Sequence, residues 1–281
     1  MTVKIVTDTL SDITSDLAQE LGVTVVPLYV RFGEEVYRDR VEITTEEFYS
    51  RLVNVATLPS TTQPTPNDFS EVYKKLAEET DEILVIVVSS KLSGTYQSAS
   101  QAKEMVKGKC RVEIVDSLSV ALGQGLIVIK AAKAVKDGAN LKEATDLAQR
   151  AVPRSHLIAY FDTLKYLAKG GRIGKASGLL GSVLSVKPIL TIKDGEMAPL
   201  TRVRSVNAGL DYMYNVAASF PNLEGIGVEH STTPADADAL VERLGSIYPK
   251  ENIYRSVISP VVGTHAGPKA LALTFLEAES K

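Results

Sequence analysis

The sequence predicts an α/β fold in two domains. The first is an N-terminal α/β domain on a parallel sheet, residues 1–152; the second is a C-terminal α+β domain with a mixed sheet, residues 153–281. Three observations carry this. Continuous apolar strands alternate with helices through the first half, the pattern of a parallel sheet covered on both faces. Beyond Pro153 the strands become more separated and more amphipathic. And 281 residues exceed what one core usually fills.

In chain order, VKIVT (3–7) is a buried strand, and ITSDLAQELG has helical spacing closed by Gly22. VTVVPLYV is a second apolar run that Pro27 interrupts or places at an edge. TTEEFYSRLV opens with Thr44 and Glu47, a capping-box pair. NDFSEVYKKLAEE is a helix with Asn67 as its cap. EILVIVVS is the strongest strand; TYQSASQAKEMVKG is a helix ended by Gly108, RVEIVDS a strand, and two helices fill 117–151. The second half offers strands HLIAYF, VKPILTIKDGEMAPLT, EGIGVEH, IYRSVIS and LALTFL, with helices near 205–219 and 234–247. The Lys-Asp-Gly turn inside TIKDGEMAPL marks a hairpin.

Composition narrows the function. A net charge of −3 gives no general pull toward nucleic acid. A single cysteine, Cys110, rules out an internal disulfide and a multi-cysteine metal site, and His156, His230 and His265 form no metal motif. The N-terminus turns polar too early for a signal peptide, and ASGLLGSVLSV (176–186) is too short to span a bilayer. The expectation is a cytoplasmic protein without stable membrane insertion.

Polar residues gather where the parallel strands end, the place where open sheets bind ligands. They are TDTLSD after the first strand, SSKLSGT after the strongest, DSLS after the next, and the proline-framed LPSTTQPTP. Ser11, Asp12, Ser98 and Ser117 suit helix capping. Ser93 with Gly94, and Thr61 with Thr62, exceed what one cap requires and suit a small anion or a carboxylate. GGRIGKA (170–176) fails the P-loop pattern at Lys169 and Ala176. KLSGT is not a nucleophile elbow, although Ser93, His265 and Asp116 make a triad on paper. Glycines flank His265 in VVGTHAGP, a shaped loop that lets backbone approach a ligand. From Asp162 to Arg204 eight bases face three acids, a candidate docking face for an acidic partner or phosphate. Gly174, Gly178 and Gly181 lie among them, too frequent for a comfortable helix.

VTDTLSDIT, LPSTTQPTP, SSKLSGTYQSA, VDSLSVALGQG, YLAKGGRIGKASGLLGSVLSVKPIL and GTHAGP, in that order, resemble the DegV family over essentially the whole chain. The resemblance implies a long-chain fatty acid held between two α/β domains, with no other cofactor and no catalysis by the chain itself. It also implies a partner, the catalytic subunit of a fatty acid kinase, which turns the presented carboxylate into acyl phosphate for phospholipid synthesis. The family's carboxylate-binding positions match Thr61 or Thr62, Ser93 with Gly94, and His265; its kinase-facing or phosphate-facing arginines match Arg172 and Arg202. Thr61-Thr62-Gln63 departs from the family's usual Thr-Ser-Gln and leaves open which threonine faces the acid. The physics agrees, since a C16 tail at about 0.8 kcal/mol per buried CH₂ supplies roughly 10 kcal/mol before ordering costs. The competing expectations are a serine hydrolase using Ser93 and a two-lobed regulator that binds a sugar or nucleotide.

Overall fold

The structure is a computed structural model that describes residues 3–180 and 186–279. Gly181 therefore lies outside the described residues. The first half runs β1 (Lys4–Asp8), α1 (Ser15–Leu21), β2 (Val23–Val26), β3 (Tyr29–Phe32), β4 (Glu35–Arg38), α2 (Thr45–Leu52), β5 (Ser60–Thr62), α3 (Pro66–Leu76), β6 (Glu82–Val87), α4 (Thr95–Met105), β7 (Arg111–Asp116), α5 (Leu122–Lys136) and α6 (Leu141–Ala151). The second half adds β8 (Ser155–Tyr160), α7 (Lys165–Lys169), β9 (Lys187–Lys193), β10 (Glu196–Val203), α8 (Val206–Ala218), β11 (Leu223–His230), α9 (Pro234–Leu244), β12 (Ile253–Val257), α10 (Pro260–Ala266) and β13 (Leu271–Glu277).

The N-terminal sheet is parallel, in the order β2-β1-β6-β7. Its strands are apolar on both faces because both are covered: Ile5, Leu84 and Ile86 pack with α5 and α6, while Val6, Val85 and Val87 pack with Phe69, Tyr73 and Ala102 of α3 and α4. The C-terminal sheet is mixed, in the order β10-β9-β8-β13-β11-β12, with β11 and β12 its parallel pair. The predicted hairpin joins β9 to β10. Asp194 and Gly195 both take positive φ at its turn, as a type I′ connection requires.

Helix α5 joins the two halves. It packs against β1 and β6 on one side and β8, β11 and β13 on the other. Its sequence is accordingly apolar around most of its circumference, as for a helix covered on two sides, and only its last turn presents Lys133 and Lys136 to solvent. A Cβ on Gly227 would stand 2.7 Å from Thr274 Oγ1 and 2.8 Å from Leu122 Cδ1, so glycine there lets α5 lie on the sheet.

Several local expectations need correction. The loop LPSTTQPTP contains β5, which joins β3 and β4 in a small antiparallel sheet. Thr65, not Asn67, caps α3; its hydroxyl and the Asp68 carboxylate form a capping box, with Pro66 at the first helical position. Thr44 caps α2 through the Glu47 amide, but Glu47 turns to Arg51 instead of completing a box. None of Ser11, Asp12, Ser98 and Ser117 serves as the N-cap residue of an α-helix: Thr14 caps α1, Ser98 lies inside α4, and Ala121, at the N-cap position before α5, offers no side-chain cap. His265 sits on a helix, α10, rather than a loop. Ser259 precedes it and Pro260 opens it, a start signal that the surrounding glycines obscure.

Candidate functional site

The site is a slot of about 860 Å³, counting the space open to solvent at its mouth. It lies between the two halves. Leu10, Leu28, Val88 and Ala121 wall it from the N-terminal side, and Leu157, Ala159, Phe161, Val261 and Ala272 from the C-terminal side. Thr61, Thr62, Gln63, Ser93, Arg172 and His265 supply most of its polar lining.

These polar residues come from four separate segments. Thr61 is held in β5 opposite Val30 of β3. Ser93 ends the loop after β6, and Gly94 starts α4. Arg172 follows α7, and His265 occupies the last turn of α10. Thr61 Oγ1 lies 2.9 Å from His265 Nε2. Ser93 Oγ lies 2.8 Å from Thr95 Oγ1 and accepts from the Thr95 amide at 3.3 Å. Ser93 thus helps start α4 as well as lining the slot. A Cβ on Gly94 would come 3.0 Å from Gln63 Nε2, so that glycine lets the proline-framed loop close over the start of α4. Arg172 donates to the Leu92 carbonyl at 3.1 Å and to its neighbour Gly170 at 2.7 Å, which ties the two halves together at the slot. Thr62 is exposed. Arg202 lies outside the slot, exposed on β10 opposite Pro188.

His265 is neutral. Burial, and then the Arg172 charge, push its pKa down from 6.5 to about 4. Its Nδ1 is buried without a hydrogen-bond partner and faces Gly170, where a Cβ would stand only 2.1 Å away. A buried orphan lone pair costs less than a buried orphan N–H. The proton therefore belongs on Nε2, which donates to Thr61 Oγ1. That leaves the Thr61 hydroxyl hydrogen free to point at a ligand oxygen.

The hydroxyls of the TDTLSD loop are satisfied internally, whereas the Ser119 hydroxyl of the DSLS loop is buried without a partner. Thr7 donates to the Ile86 carbonyl, Thr9 accepts from the Leu28 amide, and Ser11 donates to the Asp8 carbonyl. The hydrolase triad is not assembled. His265 Nδ1 carries no carboxylate, and Asp116 instead accepts from the backbone amides of Ser90 and Leu118. The basic stretch is partly neutralised, with Lys175 paired to Asp194 at 2.9 Å and Lys187 to Asp162 at 2.5 Å. Among the described residues no helix is long and apolar enough to cross a membrane, and no cluster of ligand-type side chains could hold a metal ion.

Reasoning from sequence named Gln63 in the proline-framed loop without its contact with Gly94, and gave Gly170 no role beside His265; both contacts act through space. It also missed Glu229, a fully buried acid that lines the slot.

Comparison with known proteins agrees with the geometry. The family model described as "Uncharacterised protein, DegV family" matches residues 2–278. A DegV domain-containing protein of Caldanaerobacter subterraneus is 38% identical over 279 residues, 98% of this chain and 99% of its own. Among solved structures, a DegV family protein of Thermus thermophilus described for its fatty acid binding is 33% identical; the match covers 99% of this chain and 100% of that one, with a TM-score of 0.91. DegV of Bacillus subtilis, described as a fatty acid binding protein, is 28% identical over 99% of this chain and 100% of its own, with a TM-score of 0.89. The chain belongs to the DegV family.

Proposed function

We propose that this DegV-family chain binds a long-chain fatty acid in the slot, tail inward, with its carboxylate at the Thr61–Ser93–His265 end. In this reading it then presents the carboxylate to a separate ATP-dependent fatty acid kinase subunit, which forms acyl phosphate for phospholipid synthesis. The chain is a cytoplasmic carrier without catalysis of its own. The proposal includes the division into units 1–152 and 153–281 with the acid between them; the parallel four-stranded sheet and the mixed six-stranded sheet fall on either side of residue 152.

One observation carries the reading: apolar walls with hydrogen-bonding groups gathered at one end match a molecule with a long tail and a single polar head. The head is held by hydroxyls. Thr61, polarised by His265, has an O–H to give, and so does Ser93 when the Thr95 hydroxyl is the donor of their 2.8 Å hydrogen bond. A buried carboxylate needs such partners because leaving it bare is costly. Neutral donors leave its oxygen free to attack a phosphoryl group, a transfer that depends on positioning above all. Arg172 spends two of its five N–H groups on backbone carbonyls and has the rest for a phosphoryl oxygen. Arg202, exposed on the strand that carries Met197 of the slot wall, suits contact with the kinase.

Calorimetric titration tests the binding half. Palmitate is expected to bind, and its methyl ester about ten-fold or more weakly, because the ester loses charged hydrogen bonds. Equal binding of acid and ester would remove the polar end from the account.

A further inference from the structure

The hairpin of β9 and β10 reaches beyond its own sheet. Strand β8 pairs with β9 only from Ile189 to Thr191, so from Ile192 to Met197 the two strands pair with each other alone. Such a two-stranded ribbon is marginal by itself. Its tip is seated on the N-terminal half. Ser89, fully buried, donates from Oγ to the Gly195 carbonyl at 2.7 Å and accepts from the Lys91 amide at 3.2 Å. The Asp116 carboxylate builds the seat. One of its oxygens accepts from the Ser90 and Leu118 amides, at 3.1 and 3.0 Å, and so fixes the two loops to each other. The Ser119 carbonyl accepts from the Ser89 amide at 2.8 Å. The fit is close: a Cβ on Gly195 would stand 2.6 Å from Ser89 Oγ and 3.2 Å from Leu118 Cδ2.

This contact borders the slot. Val88, Leu92 and Val120 of the slot wall flank the seat in sequence, and Met197 of the wall follows Gly195 in β10. The halves are tied differently toward the two edges of the six-stranded sheet. Toward β12, the Asp12 carbonyl accepts from the Ser256 hydroxyl at 2.6 Å, the Asp12 carboxyl accepts from the Ser259 amide at 3.3 Å, and Tyr49 donates to the Ile258 carbonyl at 3.0 Å. Toward β10 the ties are the ribbon tip on Ser89 and Arg172 on the Leu92 carbonyl. Wall residues from both halves enclose the slot, so a chain leaves it when a seam between the halves parts. A ribbon that pairs only with itself bends without breaking the sheet, and its seam parts at the cost of few contacts.

We infer that the β9–β10 ribbon is a latch on the slot: acyl chains enter and leave when Gly195 lifts from Ser89, with the β12 edge as the hinge. This rests on the fatty-acid reading above and adds a route to it. The test is exchange of bound radiolabelled palmitate for excess unlabelled palmitate in the full-length protein, beside the equilibrium Kd. Ser89→Ala removes the latch bond from the empty and the liganded protein alike. Exchange is expected about five-fold faster, with Kd changed by less than about two-fold, because entry and exit quicken together. The converse variant carries Ser89→Cys and Gly195→Cys in a Cys110→Ala background, where the 2.6 Å approach puts a disulfide within reach. Oxidised, it should exchange about ten-fold or more slowly than the same protein reduced. Exchange that is unchanged in Ser89→Ala, or faster only in proportion to a weakened Kd, overturns the inference alone. So does oxidised double-cysteine protein that exchanges as fast as reduced. If the double-cysteine variant does not fold, Ser89→Ala still decides. Palmitate that does not bind the unmodified protein overturns the fatty-acid reading as well.

Discussion

The two faces of the six-stranded sheet are built from the same strands to opposite ends. Toward α8 and α9, β8 presents Ile158 and Tyr160, β11 presents Ile226 and Val228, and β13 presents Leu273 and Phe275; all pack in one core cluster. The alternate residues face α5 and the slot, and there the same strands carry Ala159, Gly227, Glu229 and Ala272. Side chains alternate across a strand with period two, so large and small residues interleave in sequence and segregate in space. One face is filled by the protein. The other carries Ala159, Gly227 and Ala272 beside the larger Leu157 and Glu229, and its small residues leave room for a helix and a ligand.

This contrast is open to direct attack. Phe275→Ala empties the filled face and should cost about 3–5 kcal/mol of stability, read by urea unfolding, because Phe275 is fully buried. The next effect is one of pH and belongs to the slot. His265 has a folded pKa of about 4 against 6.5 unfolded, so the unfolded state binds the extra proton between these values. Stability from this group is complete above pH 6.5 and is lost as pH falls toward about 4, on the order of 3 kcal/mol in all. His265→Gln should flatten that slope, and an unchanged slope would show that the buried imidazole is not its source.

Ala272→Leu puts a large residue on the small face. It should leave stability within about 1.5 kcal/mol while weakening palmitate by about 2–3 kcal/mol, because three added carbons take the place of methylenes. Destabilisation as large as that of Phe275→Ala would mean that this face is packed like the other. Ser93→Ala should cost palmitate about 1–3 kcal/mol and the methyl ester less. Arg202→Ala should leave palmitate binding unchanged and lower only the yield of acyl phosphate with the kinase; equal yield would remove Arg202 from the partner face.

Much of this was legible in the chain. The strand and helix sequence and the Asp194-Gly195 hairpin follow from periodicity and turn residues, while the grouping of Thr61 or Thr62 with Ser93 and His265 comes from the resemblance to the DegV family. The large-small alternation in GIGVE and LALTF was present too, as a record of which face stays empty. What the sequence hid is non-local. β5 is three residues long and exists because β3 lies beside it. Glu229 reads as a strand-end acid until α5 is seen to begin at its carboxyl. Gly170 reads as a loop glycine until the His265 ring is placed against it. Such roles depend on tertiary contact, which no local pattern encodes.

The central claim is that the small face of this sheet is half of a fatty-acid site. The most direct test is mass spectrometry of lipid extracted from the purified, unmodified protein, quantified against protein. The account predicts a long-chain fatty acid approaching one equivalent, and its loss in Ala272→Leu. Lipid-free protein that also fails to take up palmitate or oleate would contradict it.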